Sequence, residues 1–456
     1  MSRSPVVLVV ILLVTSVGAG LVGADVTSVT NGYGDATPRK VSGSGPLGPP
    51  VSGGVDDDAD VPAIDPAAPS GTDDAVRVGV IGSAFADSAT LDGRVADRYR
   101  TTSPRFGLVA GKHDTAVASV VAERARDSSL YLASVGYEPT PDEYARAVEW
   151  LVAQDVDVIV DAGSYFPRTA DGRERIAEAA ERAATSGTVF VTSGGNTAKR
   201  HWRGTAANGG WVAFGDDGTQ GNRLGNGTID GTVTLRLYWE DAADYDLYLY
   251  RDTPGEDTLV AKSTRESGYA EAIDAVLPRG NYYVAVYARD PGTGPVDLYA
   301  ARHRLAFAGA NGSAIAPTAA PGVISVGAVG SNGRLAEYSP ADTDVRADGT
   351  VRLDDGTLLR GTSAAAPRVA SVVIAMTAEA GDDTLTPAEV EQLLRTTAED
   401  GRVDPAAAVA AAADRRDGRT GRATVETGTG TAVPASATAS ADGNTSTDSV
   451  WVGRGP

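Results

Sequence analysis

The sequence predicts an α/β protein, a parallel sheet with helices on both faces, interrupted by an all-β sandwich insert. Two textures lead there. From about residue 75 to 205, short continuous apolar runs alternate with segments of helical period, and the same texture returns near Ala316. Between them, strand-period alternation broken by turn signals occupies roughly 100 residues.

The elements follow in order. Val78 to Ile81 reads as a buried strand ending at Gly82-Ser83, and Ser129 to Val135 as the next. A helix from Pro141 to Ala153, a strand from Val156 to Asp161, a helix from Arg173 to Ser186 and a strand from Thr188 to Thr192 continue the series. Parallel neighbours need a crossover, and these helices supply it. In the insert, Thr232–Trp239, Asp246–Tyr250, Tyr282–Arg289 and Val296–Tyr299 alternate with period two, with turns at Gly255 and Pro278-Arg279-Gly280. The return brings a strand Val323–Val329 and helices Ser363–Ala380, Pro387–Thr397 and Pro405–Asp414.

The predicted organisation is therefore a signal peptide or N-terminal anchor (1–24), a disordered linker (25–74), the α/β domain in two parts (75–205 and 306–415), the insert (206–305) and a disordered tail (416–456). The first segment has Arg3, an uncharged apolar stretch Val6–Ala24 and small residues before Asp25, which implies export and a possible membrane tether. The linker and the tail are rich in small and polar residues without periodicity.

Composition excludes several classes of function. With 60 acidic against 40 basic residues the net charge is −20, so no nucleic-acid partner is expected. Only four lysines occur (Lys40, Lys112, Lys199 and Lys262), and an acidic, lysine-poor surface suits concentrated salt. Zero cysteine removes disulfides, thiol nucleophiles and thiolate metal sites.

Three blocks carry candidate chemistry. In Gly361-Thr362-Ser363-Ala364-Ala365-Ala366-Pro367-Arg368-Val369-Ala370, Ser363 opens a helix of small residues, where the positive helix end favours a developing alkoxide. His113 begins a helix in Gly111-Lys112-His113-Asp114-Thr115-Ala116-Val117-Ala118, and Asp114 reads as a charge suited to the helix start. The strand ending in Ser193-Gly194-Gly195-Asn196 offers an amide able to donate to an oxyanion. Asp241, Asp244 and Asp246 read as a solvated loop, and His201-Trp202 as packing between insert and main domain.

Together the blocks resemble the subtilisin-like serine peptidases (subtilases), whose serine motif Gly-Thr-Ser-x-x-x-Pro-x-Val-Ala is matched from Gly361 to Ala370. The family's His-Gly-Thr-x-Val-Ala is matched by His113–Ala118 with Asp114 in place of glycine, and its Ala-Gly-Asn by Gly194-Gly195-Asn196. The resemblance implies a subtilisin-like fold and an exported endopeptidase that cuts peptide or protein substrates through an acyl-enzyme. Ser363 would be the nucleophile, His113 the base and Asn196 an oxyanion donor, with no cofactor or metal. The family's aspartate follows the first strand, where this chain has Gly82, so a weakened site is expected; the alternative is an inactive subtilase fold that binds peptides or proteins at the cell surface. The family's Ser-x-Gly-Gly substrate segment reads Asp161-Ala162-Gly163-Ser164-Tyr165, with Ser164 and Tyr165 at expected glycines. The insert resembles prepeptidase C-terminal β-sandwich modules through Leu237–Asp241 and Asp244–Tyr250.

Overall fold

In the computed structural model, residues 75–101, 111–206, 208–265, 267–381 and 385–426 are described, with side chains as far as Arg415. The segments read as export signal and linker, and the tail after residue 426, lie outside these residues. No helix among the described residues is long and apolar enough to cross a membrane.

The first part of the α/β domain runs β1 (Arg77–Gly82), β2 (Val95–Arg100), α1 (Lys112–Arg124), β3 (Ser129–Ser134), α2 (Pro141–Ala153), β4 (Val158–Asp161), α3 (Ala170–Thr185) and β5 (Val189–Ser193). The antiparallel region follows with β6 (His201–Gly204), β7 (Gly210–Trp211), β8 (Asn222–Trp239), β9 (Asp244–Asp252), β10 (Thr258–Ser263), β11 (Ala270–Asp290) and β12 (Val296–Ala300). The chain then returns through β13 (Val323–Val329), β14 (Val345–Asp348), the hairpin β15 (Thr350–Arg352) and β16 (Leu358–Arg360), α4 (Thr362–Ala380), α5 (Pro387–Thr397) and α6 (Pro405–Glu426). The last helix extends past residue 416, into the segment whose composition predicts a tail.

A seven-stranded sheet of order β14-β13-β5-β4-β1-β3-β2 forms the main domain, and all its pairs are parallel. Successive residues of each strand enter opposite cores, as the pleat requires. Val78, Val80, Leu130, Leu132, Val158 and Val160 pack with α1 and α4. Ile81, Tyr131, Ala133, Ile159 and Phe190 pack with α2 and α3. Burial on both faces is why these strands read as apolar runs rather than alternating ones. Two helices start where the sequence predicts because Thr140 with Glu143, and Thr386 with Glu389, close capping boxes ahead of Pro141 and Pro387.

The insert forms a second seven-stranded sheet, order β10-β9-β11-β8-β12-β6 with β7 against β11. It takes in His201–Gly204, ahead of the expected start at residue 206. The long strands β8 and β11 shift register between Leu277 and Tyr282. One core gathers Leu235 and Leu237 of β8, Leu249 of β9, Val284 of β11 and Leu298 of β12.

Leu151 of α2 is fully buried, and its methyls lie 2.8 Å from where a side chain on Gly79 would begin. Leu151→Ala is expected to destabilise the domain by about 2–5 kcal/mol, seen as a lower denaturation midpoint at unchanged slope.

Candidate active site

The sequence-predicted residues lie along the carboxyl edge of the parallel sheet. The chain leaves β1 toward β3 and β2, then returns to β4, β5, β13 and β14 on the other side, so the order reverses between β1 and β4. Such a reversal opens a crevice at the strand ends. His113 lies in the first turn of α1, Asn196 just past β5 and Ser363 in the first turn of α4.

Gly82 ends β1, and the carboxylate that stands beside His113 is that of Asp114, which the sequence reads as a helix-start charge. His113 Nδ1 lies 2.7 Å from Asp114 Oδ1. Asp114 Oδ2 accepts the Ser83 N–H at 2.7 Å, the Ser83 hydroxyl at 2.5 Å and the Ala84 N–H at 3.3 Å. A Cβ on Gly82 would stand 2.6 Å from Asp114 Cβ and 2.8 Å from its Cγ, so the Asp114 carboxylate fills the space that a side chain at position 82 would need. Asp114 is thus far more than a helix-start charge. It is only 9% exposed and touches the loop after β1. Burial opposes its ionisation, but the hydrogen bonds from His113 and Ser83 and the field of a protonated His113 outweigh that, leaving its pKa below the ordinary carboxylate value. An acceptor-only carboxylate places the proton on Nδ1 and leaves Nε2 as the basic nitrogen. Half of the His113 side chain is open to solvent.

Ser363 is buried to 7% exposure, and its Oγ donates to the Ala162 carbonyl at 3.2 Å. Gly361 precedes its helix at φ 108°, a conformation open mainly to glycine. A side chain there would also start 2.7 Å from Asn196 Nδ2. The Thr362 N–H donates to Asn196 Oδ1 at 3.0 Å, which fixes the amide and leaves Nδ2 as its other, donating end.

Asp161 was not singled out by sequence reasoning, yet it organises the floor of the site. It is 0% exposed and accepts the Tyr144 hydroxyl at 2.8 Å, the Gly163 N–H at 2.8 Å and the Tyr165 hydroxyl at 3.0 Å. Burial pushes its pKa up to about 6, those three donors oppose the shift, and the charge of Asp114 adds to it. Tyr165 therefore turns inward, and only Ser164 is exposed at the two positions where glycines were expected. Asp161 and Ser83 left no local motif in the sequence, since each acts through partners far along the chain.

The remaining candidates are structural. His201 is fully buried and pairs with Asp297 at 2.7 Å. Asp241 accepts the Thr293 and Gly294 N–H groups, and Asp246 is buried against Tyr248 and Arg289 rather than solvated. No group of three or more metal-ligating side chains occurs among the described residues.

The subtilase family model matches residues 303–430, which include Ser363 but neither His113 nor Asn196. The structure of the Clostridium perfringens CspB protease is similar, with a TM-score of 0.53 and 15% identity over 75% of this chain and 94% of that one. A lanthipeptide protease is more distant, with a TM-score of 0.42 and 15% identity over 73% of this chain and 88% of that one. No curated protein sequence matches the chain. The fold is subtilisin-like: a parallel sheet with helices, carrying an additional antiparallel sheet.

The two carboxylates act in different pH windows. Asp161 holds a proton between its ordinary value of 3.8 and about 6 that the unfolded chain has released. Its contribution should make stability fall by about 3 kcal/mol as pH rises through that interval. Asp114 has a depressed pKa, so the stability it adds is present above 3.8 and lost only as pH falls lower. Denaturant unfolding at pH 4, 5 and 7 should show Asp161→Asn without the falling slope that Asp161 adds to the wild type.

Proposed function

We propose that the protein is a subtilisin-like serine endopeptidase whose base, His113, is supported by Asp114 in place of an aspartate at position 82. The observation carrying this reading is the 2.7 Å contact between His113 Nδ1 and Asp114 Oδ1, together with the three donors that hold the carboxylate. With Nδ1 engaged, Nε2 takes the Ser363 proton as Oγ attacks the peptide carbonyl, and later gives it to the leaving amine. Asp114 holds the ring and stabilises its cation. Asn196 Nδ2 and the Ser363 N–H, one of the unpaired donors of the first turn of α4, receive the oxyanion. Water then releases the acyl group. The substrates are peptides or proteins, and export through the N-terminal segment would put the activity outside the cytoplasm, with the insert as a prepeptidase-like accessory module.

One observation favours the alternative of a silent, peptide-binding fold: the Ser363 hydroxyl rests on Ala162 rather than on His113. Catalysis requires it to change partner.

A fluorophosphonate probe in concentrated salt separates the readings. The wild type should label, Ser363→Ala should not, and Asp114→Asn should slow labelling by about 10⁴-fold. No labelling of folded wild type would leave only the silent fold. Because side chains at 82 and 114 compete for one space, Gly82→Asp alone should also impair labelling. The exchange Gly82→Asp with Asp114→Gly should label faster than Asp114→Gly alone.

A further inference from the structure

The segment that leaves β4 links the nucleophile to the antiparallel domain. At its start, Ala162 O accepts the Ser363 hydroxyl at 3.2 Å and Gly163 O accepts the Ser193 hydroxyl at 3.0 Å. At its far end, three successive carbonyls each accept a hydrogen bond from a different side chain of the insert. Phe166 O is held by Arg236 Nε at 2.9 Å, Pro167 O by the Tyr238 hydroxyl at 2.5 Å and Arg168 O by Arg265 Nη1 at 3.1 Å.

Arg236 and Tyr238 stand two apart on β8, hence on one face of the sheet. The Arg236 side chain is 6% exposed, and its fork closes on Asp274 of β11 at 3.0 and 3.1 Å. The Arg168 side chain returns to the same Asp274. The Phe166 ring meets the edge of Tyr299 at 6.1 Å, and the Arg173 guanidinium lies 4.9 Å over Tyr238. A buried guanidinium is tolerated only with its donors satisfied. Here it is satisfied partly by main chain of the other domain, which ties the two together.

Resting on the peptidase reading, we propose that the insert is a fixed wall of the substrate cleft: Arg236, Tyr238 and Arg265 hold the segment Ala162–Arg168, against which an extended peptide lies beside Ser363. With both ends of the segment pinned, the main chain of Ser164 and Tyr165 between them is the edge left for an extended peptide, because strand addition supplies affinity without demanding one side chain. A loop that carries such an edge loses affinity when it must be ordered at each binding event, and the insert removes that cost in advance. Arg236 and Tyr238 are positioning residues that act through the carbonyls they hold.

The test uses the full chain with Tyr238→Phe, which keeps the ring and removes one donor, and Arg236→Lys, which keeps the charge and removes the fork. Three quantities are read: kcat and KM on a tetrapeptide p-nitroanilide, the rate of fluorophosphonate labelling, and hydrogen exchange of the amides from 162 to 170. Each variant is expected to raise KM by about three- to tenfold, the size of one lost hydrogen bond, and to speed exchange in the segment. Both kcat and labelling should stay near wild type, because the small probe does not use the cleft wall. Unchanged exchange and KM in both variants would overturn the proposal, as would a loss of kcat, labelling and KM in step with a lowered unfolding midpoint. If the wild type fails to label, the peptidase reading falls, while the exchange comparison still decides whether the insert holds the segment.

Discussion

The first turn of α1 runs so close to the end of β1 that only one side chain can occupy the space between them, and the site is built on that restriction. Two glycines mark the approach. A Cβ on Gly111 would stand 1.7 Å from the Ala84 carbonyl oxygen, and one on Gly82 would strike Asp114. Thr115 Oγ1 also accepts the Ala86 N–H, tying helix to loop a second time. With position 82 empty, a carboxylate entering from the helix finds the N–H groups of Ser83 and Ala84 that leave the strand end. A buried carboxylate persists only where donors replace its lost water, and this pocket supplies them.

Two carboxylates stand at this edge with pKa values moved in opposite directions, and the partners explain why. Both are buried. Asp114 has the imidazole, which can become a cation, as well as Ser83. Asp161 has only neutral donors and feels the charge of Asp114, so burial prevails. Environments that separate the titration of neighbouring acids divide their labour. Asp114 stays ionised as a partner for a cation, while Asp161 serves as a hub joining α2, the end of β4 and the segment that follows it.

The antiparallel domain owes its place beside the carboxyl edge of the sheet to topology. Strands β5 and β13 are parallel neighbours, so the chain between them must cross back over the sheet. Here that crossover is the whole second sheet. It departs just after Asn196, at the carboxyl edge, and from there its side chains reach the Phe166–Arg168 carbonyls.

Much of the architecture was legible because it is local. Apolar runs, Thr-Pro-x-Glu helix starts and period-two alternation set the elements through short-range sterics and burial, and His113, Asn196 and Ser363 stood in contiguous motifs. Strand β2 was not legible, since it lies at the sheet edge and most of its residues face solvent, so no apolar pattern marks it. The supporting acid was hidden for a related reason. Adjacent helical residues ordinarily do not face each other, and nothing near Asp114 in the chain signals a role beyond the helix start. Its meaning depends on Ser83, thirty-one positions away, and on an empty position 82. Contacts of that kind come into being when strand and helix pack, because a carboxylate's role is set by the donors that surround it, and those donors are gathered by the fold.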